Sequence, residues 1–117
     1  MLTQRIKTKR NNIETRLVVA VYQEGDYFVA YCPALEISSY SQTVEQAKTE
    51  FEQEVQIFFS ETIRKGTLEK LLLKYGWTLQ SNNFTPPALS IGLTNKLKNY
   101  PHFTLREQRV SIPYINA

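Results

Sequence analysis

The chain has 117 residues, of which 42% are hydrophobic and 21% are charged, and its formal net charge is +3. This length fits one globular domain. No apolar run approaches the ~20 residues of a membrane-spanning helix, and a single cysteine excludes both an internal disulfide and a cysteine-based zinc cluster.

The charges are unevenly distributed along the chain. Residues 17–66 carry eight acidic and three basic side chains, whereas residues 1–16 carry five bases and one acid. Residues 67–117 carry six bases and two acids. An acidic module attracts basic partners, and basic flanks suit nucleic acid. The same charges also serve simply to solvate the surface, so both interpretations stay open.

Residues 1–12 form a basic segment, and no apolar signal-peptide core follows it, so we expect a cytoplasmic protein. Its cations, Arg5, Lys7, Lys9 and Arg10, are the side chains best suited to contact nucleic-acid phosphates. Phosphate contacts give affinity but no sequence information. We treat this segment as an arm outside the folded module and leave its order open.

The next stretch predicts a hairpin and a third strand. Residues 16–22 and 27–31 are β-branched and aromatic runs, and Gly25 between them supplies the positive φ angle that a hairpin turn needs. Residues 37–41 form another extended run, in which Tyr40 lies on the opposite face from the two serines beside it.

One long helix is predicted over residues 43–65. Thr43 and Gln46 form a capping box at its start, and Gly66 suits the position after its end. Its apolar residues recur at spacings of three and four, which gives one stripe suited to packing on a sheet. The members of this stripe are Val44, Ala47, Phe51, Val55, Phe58 and Thr62.

Shorter elements follow Gly66. They are a helix over 67–75, a brief extended segment at 77–79, a loop over 81–87, weak helical spacing over 88–100 interrupted by Gly92, and a strand over 104–114. The last strand either adds to the sheet or pairs with another subunit, because exposed strand edges are usually covered. We therefore expect a homodimer or a higher assembly.

The sequence thus predicts a single α/β (α+β) domain. A small antiparallel sheet of three to four strands has the helix 43–65 on one face, and part of the other face stays exposed. Residues 16–79 form the core module, and residues 80–117 form an extension that ends in a strand.

Residues able to carry out chemistry are few. His102 is the only histidine, Cys32 has no neighbouring base to activate it, and Glu50 and Glu54 fit a solvated helix face. No nucleophile–base pair and no convergent ligand set is apparent. We therefore predict that the chain is not an enzyme and has no catalytic residues, metal or cofactor.

Residues 16–66 resemble the HicB-like antitoxin family. The matching features are the Glu-Gly-Asp-Tyr turn, the run Val-Ala-Tyr-Cys-Pro-Ala-Leu at 29–35, the serine-rich strand at 38–41, and the helix start Thr-Val-Glu-Gln-Ala at 43–47. Where the family usually has a glycine-cysteine pair, this chain has Glu36 and Ile37. Residues 80–117 match no pattern of that family.

The resemblance implies a partial ribonuclease-H-like fold and a partner. HicB-like antitoxins neutralise a small basic HicA-like toxin that cleaves mRNA, and many repress their own operon. The acidic hairpin region is the best candidate for the toxin contact, with Glu24, Asp26, Cys32, Pro33 and Glu36 as its residues. Opposed charges would favour such an association.

A second function stays open beside the antitoxin one. The chain could instead be a stand-alone oligomeric or nucleic-acid-binding module of the same fold, without a toxin.

DNA binding is also open. Family members often add a C-terminal helix-turn-helix or ribbon-helix-helix. Residues 80–117 favour neither, because their strand comes last and Gly92 and Pro101 leave room for one helix. DNA therefore remains an open partner, with the basic arm as its contact.

Overall fold

A computed structural model describes residues 10–81 and 83–115 of the chain. It contains six strands and three helices within those residues. In chain order these are β1 (Arg10–Glu24), β2 (Tyr27–Cys32), β3 (Ile37–Ser41), α1 (Val44–Lys65), α2 (Leu68–Lys74), β4 (Thr78–Gln80), β5 (Asn83–Thr85), α3 (Ile91–Leu97) and β6 (Thr104–Ile115).

Four of the strands form one antiparallel sheet in the order β3-β2-β1-β6. The predicted α+β class, with an antiparallel sheet and one long helix, is confirmed. Strand β6 joins this sheet beside β1 rather than standing apart from it. Both β3 and β6 are therefore terminal strands of the sheet.

Strand β1 is longer than predicted, since it begins at Arg10 instead of residue 16. Its first residues pair with the end of β6, where Arg10 lies opposite Ile115, whereas β2 pairs only from Ala20 onward. Asn11 and Asn12 have low strand propensity, so the distant β6 stabilises this extension. The strand therefore includes residues 10–12 of the predicted arm.

The predicted hairpin is present. Glu24 lies opposite Tyr27, and Gly25 has a φ of 62° in the turn between them. Only glycine adopts this left-handed backbone without a steric cost from Cβ. The turn fixes the register of β1 and β2, and that register decides which side chains point to each face of the sheet.

Helix α1 begins and ends as predicted. The Thr43 hydroxyl accepts a hydrogen bond from the Gln46 amide at 3.1 Å, and Gly66 ends the helix with a φ of 71°. Two predicted stripe residues, Val44 and Phe58, are only half-buried, although both pack against the core. Phe59, which was not predicted as part of the stripe, is the buried member of the Phe58–Phe59 pair, and the two ring centroids lie 5.3 Å apart, edge to face. The buried stripe comprises Ala47, Phe51, Val55, Phe59 and Thr62.

The main core lies between α1 and the sheet. It joins odd-numbered residues of β1, such as Leu17 and Val19, to the buried stripe of α1. Ser39 on β3 donates a hydrogen bond to the Ala47 carbonyl at 2.7 Å, which ties the edge strand to the first turn of the helix. The small serine side chain permits the helix to lie close to the sheet at this point.

The segment predicted as a loop over 81–87 contains a strand. β4 and β5 form a separate two-stranded sheet, and the Thr15 hydroxyl donates to the Phe84 carbonyl at 3.1 Å. The Asn- and Pro-rich sequence predicts a loop here, and no local signal predicts the strand. The strand forms because Phe84 is buried in the main core, which is a long-range contact.

The second face of the sheet is also covered in part. Helix α3 and the segment after it pack Leu97 and Tyr100 against Ala20, Tyr22 and Val29. The Ser90 hydroxyl caps α3 by accepting from the Leu93 amide at 3.0 Å. The sheet is thus the middle layer of three, with α1 on one side and the short α3 on the other.

Among the described helices, none combines the length and the hydrophobicity that a membrane crossing requires.

Candidate functional site

The sheet face opposite α1 carries several tyrosines. Val29 on β2 lies between Tyr22 on β1 and Tyr40 on β3. Directly opposed residues of antiparallel strands point to the same side, and side chains alternate along a strand. Tyr27 and Tyr31, each two residues from Val29, therefore share this face with Tyr22 and Tyr40.

Helix α3 covers only part of this face. Tyr100, just after α3, stacks on Tyr22 with ring centroids 4.8 Å apart. Beyond that stacked pair, Tyr27 and Tyr40 remain 51% and 58% exposed, and Tyr31 is half-buried. We call these five residues, Tyr22, Tyr27, Tyr31, Tyr40 and Tyr100, the tyrosine surface.

Carboxylates border the tyrosine surface at both ends. Glu24 lies two residues from Tyr22 on β1 and is paired with Tyr27 in the hairpin. At the other end, Glu36 accepts a long hydrogen bond of 3.4 Å from the Tyr31 hydroxyl. Both carboxylates are exposed, so their charges act on any group that approaches the rings.

A tight turn holds Glu36 in place. Its backbone has a φ of 55°, and its amide donates to the Pro33 carbonyl at 3.3 Å. The left-handed region is uncommon for a residue with a side chain, and such positions persist where the surrounding structure fixes them. The turn thereby keeps the Glu36 carboxylate beside Tyr31.

Burial and negative charge raise the pKa of two hydroxyls of the tyrosine surface. Burial, with a smaller contribution from Glu24, raises the pKa of Tyr22 from 10.0 to about 12. Burial and then the Glu36 carboxylate raise the pKa of Tyr31 above its ordinary value. A tyrosine with its ordinary pKa is already neutral at physiological pH, and these shifts extend to higher pH the range over which both hydroxyls keep the proton that a hydrogen-bond donor needs.

Neutral aromatic rings beside carboxylates are chemically suited to attract cationic side chains. The face of an aromatic ring attracts a guanidinium or an ammonium group, and a nearby carboxylate adds charge-assisted hydrogen bonds. Tyrosine is also enriched at protein–protein interfaces. The tyrosine surface thus suits a basic protein, whereas the carboxylates at its borders repel nucleic-acid phosphates.

The structure separates the acidic residues that the sequence predicted as one contact region. Glu24 and Asp26 lie at the hairpin turn, and Glu36 lies at the opposite end of β2. A six-residue strand spans about 20 Å. These carboxylates therefore form no single cluster, and the tyrosine surface lies between the two groups.

Cys32 and Pro33 contribute differently from the acids. Cys32 is fully buried in the core beneath α1, so its thiol cannot contact a partner, and that part of the prediction is wrong. Pro33 is half-buried and lines a cavity of about 150 Å³ together with residues 86–90. Pro33 thus faces another part of the same chain across this cavity.

Most of the residues predicted to contact nucleic acid lie outside the part of the chain that the structure describes. Arg5, Lys7 and Lys9 fall outside the described residues. Arg10 begins β1 through its backbone, and its side chain also lies outside the description. Their proposed role in phosphate binding stays a prediction.

Sequence reasoning missed the tyrosines as a site. The available signal was the alternation of Tyr27, Val29 and Tyr31, followed by Tyr40 on one face of the next strand. These residues come together only through the β1–β2–β3 register, and Tyr100 joins them from the far end of α3. No local pattern predicts that last contact.

The described residues hold no group of three or more His, Cys, Asp or Glu side chains placed to bind a metal ion. His102 has a φ of 59°, and its ring lies 6.2 Å from that of Phe28. Glu50 and Glu54 are exposed on α1. These positions agree with packing and solvation roles for the three residues.

Comparison with protein-family models gave no match, and comparisons with curated proteins and with solved structures gave none either.

Proposed function

We propose that this chain is an antitoxin-like cytoplasmic protein that binds and neutralises a small basic toxin of the HicA-like class. The resemblance of residues 16–66 to HicB-like antitoxins suggests the class of partner. The tyrosine surface between Glu24 and Glu36 is the observation that carries the proposal.

The chemistry of the surface supports a basic partner. A toxin that cleaves mRNA must hold phosphates with arginine and lysine side chains. Those same cations can lie against Tyr27 and Tyr40, residues that are more than half exposed, while Glu24 and Glu36 provide opposite charge. An antitoxin bound in this way would occupy the cations that the toxin needs for RNA.

A growth assay tests the proposal. The short gene beside this one would be expressed alone and together with the chain in a host lacking both. We expect the neighbour to stop growth and the chain to restore it. A neighbour that is harmless alone, or one that stays lethal while this chain is abundant and soluble, would overturn the antitoxin function.

Matched variants locate the contact. Tyr40→Ala removes an exposed ring of the tyrosine surface, whereas Ile57→Ala removes a comparably exposed side chain from α1 on the other side of the sheet. We expect Tyr40→Ala to weaken rescue and Ile57→Ala to leave it unchanged. Equal rescue by both variants would move the contact away from the tyrosines.

Repression of its own operon would be a second role of such an antitoxin, separate from toxin binding. The basic residues that would contact operator phosphates, Arg5, Lys7 and Lys9, lie outside the described residues. The alternative of a stand-alone oligomeric module gains support from the outer edge of β6, with which no described strand pairs. Rescue of growth separates the two functions, because a stand-alone module has no toxin to neutralise.

A further inference from the structure

Strand β6 presents an open edge. It is twelve residues long and ends the four-stranded sheet, so no described strand pairs with its outer side. Leu105 near its start is 44% exposed. Long unpaired edges are sites at which another strand can add through backbone hydrogen bonds.

The backbone geometry shows which residues of β6 face outward. The Gln23 amide donates to the Pro101 carbonyl at 2.8 Å, so the odd-numbered residues of β1 direct their backbone groups toward β6. They lie opposite even-numbered residues of β6, such as Val21 opposite Thr104. Backbone groups alternate in direction along a strand, so those of Leu105, Glu107, Arg109 and Ser111 point outward.

We propose that a second copy of this chain pairs antiparallel with β6 along this edge, with the two-fold axis at Gln108. In this register Glu107 lies opposite the partner's Arg109, and Leu105 lies opposite the partner's Ser111. Symmetry repeats both pairs, so the edge is complementary to itself. The two four-stranded sheets become one continuous sheet joined by about eight backbone hydrogen bonds.

The charges favour this register over its neighbours. The outward-pointing backbone groups of one β6 can pair only with the outward-pointing groups of the other β6. The two-fold axis can therefore move along the strand only in steps of one whole residue. An axis at Glu107 or at Arg109 would place identical charges opposite each other, and an axis at Arg106 would do the same. An axis at Val110 avoids like charges but forms no oppositely charged pair, and it places Glu107 opposite the partner's Pro113, which has no N–H.

Charge reversal tests the pairing. Glu107→Arg or Arg109→Glu alone would place two like-charged pairs at the interface, and the double variant would restore opposite charges. We expect each single variant to weaken dimerisation by at least about tenfold and the double variant to recover it, measured by sedimentation at several concentrations. Urea melts of each variant check that the monomer remains folded.

A disulfide tests the register. In a Cys32→Ala background, Gln108→Cys would place two thiols at the two-fold axis, where mild oxidation should join them into a covalent dimer. Val110→Cys is the matched control, because it lies opposite the partner's Arg106 and should not join to its own copy. The proposal would be overturned if the Val110→Cys variant formed the covalent dimer and the Gln108→Cys variant did not. It would also be overturned if the wild-type chain stayed monomeric at high concentration.

This inference does not depend on the toxin. Both experiments use the purified chain alone, so a failed growth rescue leaves the dimer test intact. The converse also holds, because the exposed rings proposed to meet the toxin, Tyr27 on β2 and Tyr40 on β3, do not lie on β1, the strand that pairs with β6.

Discussion

At the scale of single residues, burial raises the pKa of two weakly acidic side chains on opposite faces of the sheet. Cys32 lies in the core under α1, and burial raises the pKa of its thiol from 9.0 to about 11. Tyr22 lies under Tyr100 on the other face, and burial raises its pKa from 10.0 to about 12. A thiol held protonated is a poor nucleophile, so Cys32 acts as a small apolar side chain.

These shifts predict a loss of stability in alkaline solution. Because both pKa values are raised on folding, the stability they contribute is fully present below about pH 9 and is lost as the pH rises through about 11 to 12. We expect the urea midpoint to fall over that range. Tyr22→Phe keeps the ring and removes the ionisable group, so its midpoint should fall less steeply above pH 10, and parallel curves would contradict the assignment.

Phe51 is the central side chain of the α1 stripe and is 1% exposed. Phe51→Ala should lower the free energy of unfolding by about 3–5 kcal/mol, because it removes buried area and leaves a cavity. The matched control is Ile57→Ala, which changes an exposed residue of the same helix and should cost within about 0.5 kcal/mol. Urea melts measure both, and a loss below about 1 kcal/mol for Phe51→Ala would show that the stripe is not the core.

At the scale of elements, two glycines are expected to have opposite effects on stability relative to alanine, because their backbone conformations differ. Gly66 ends α1 with a φ of 71°, whereas Gly92 lies inside α3 without a positive φ. A Cβ at Gly66 would meet no neighbouring atom, and at Gly92 it would meet only Ser90 Oγ at 3.8 Å. Backbone conformation alone therefore separates the two positions.

A pair of alanine variants tests this difference. Gly66→Ala should destabilise the protein by about 1 kcal/mol, because alanine is strained in the left-handed region. Gly92→Ala should stabilise it by about 0.5 kcal/mol, because alanine has the higher helix propensity. Thermal or urea unfolding provides the comparison, and a stabilising Gly66→Ala would contradict the αL end of α1.

Elements defined by local signals could be predicted from the sequence. The Gly25 turn fixed the hairpin, and Thr43 and Gly66 marked both ends of α1. The extension of β1 to Arg10 and the strand at Asn83–Thr85 could not be predicted, because each depends on a partner far along the chain. Long-range pairing can override low local strand propensity.

The residues of the candidate site were also only partly predictable from the sequence. Glu24 and Glu36 stood out through the acidic composition of residues 17–66. The rings between them required the register of three strands, and Tyr100 required α3 to fold back over the sheet. Phe59 replaced Phe58 in the core because both fit helical spacing, and only the packing of α1 on the sheet decides between them.

At the scale of the whole molecule, we predict that the purified chain cleaves neither RNA, DNA nor peptides, with or without divalent metal. The described residues bring together no group of three metal-binding side chains, and Cys32 is buried with a raised pKa. Sensitive cleavage assays of the wild-type chain test this. Turnover that Glu50→Ala, Glu54→Ala or His102→Ala abolished would show that the chain is an enzyme.

The rate of association with the small basic toxin that we propose as the partner tests the central claim most directly. Wild-type chain and a variant with Glu24, Asp26 and Glu36 all changed to lysine would be compared at low and high salt. Because exposed charges are screened beyond about 8–10 Å at ordinary ionic strength, we predict fast, salt-sensitive association for the wild type. The folded variant should associate more slowly at low salt. Equal rates for both chains at every salt concentration would contradict the claim that this acidic tyrosine surface binds the partner.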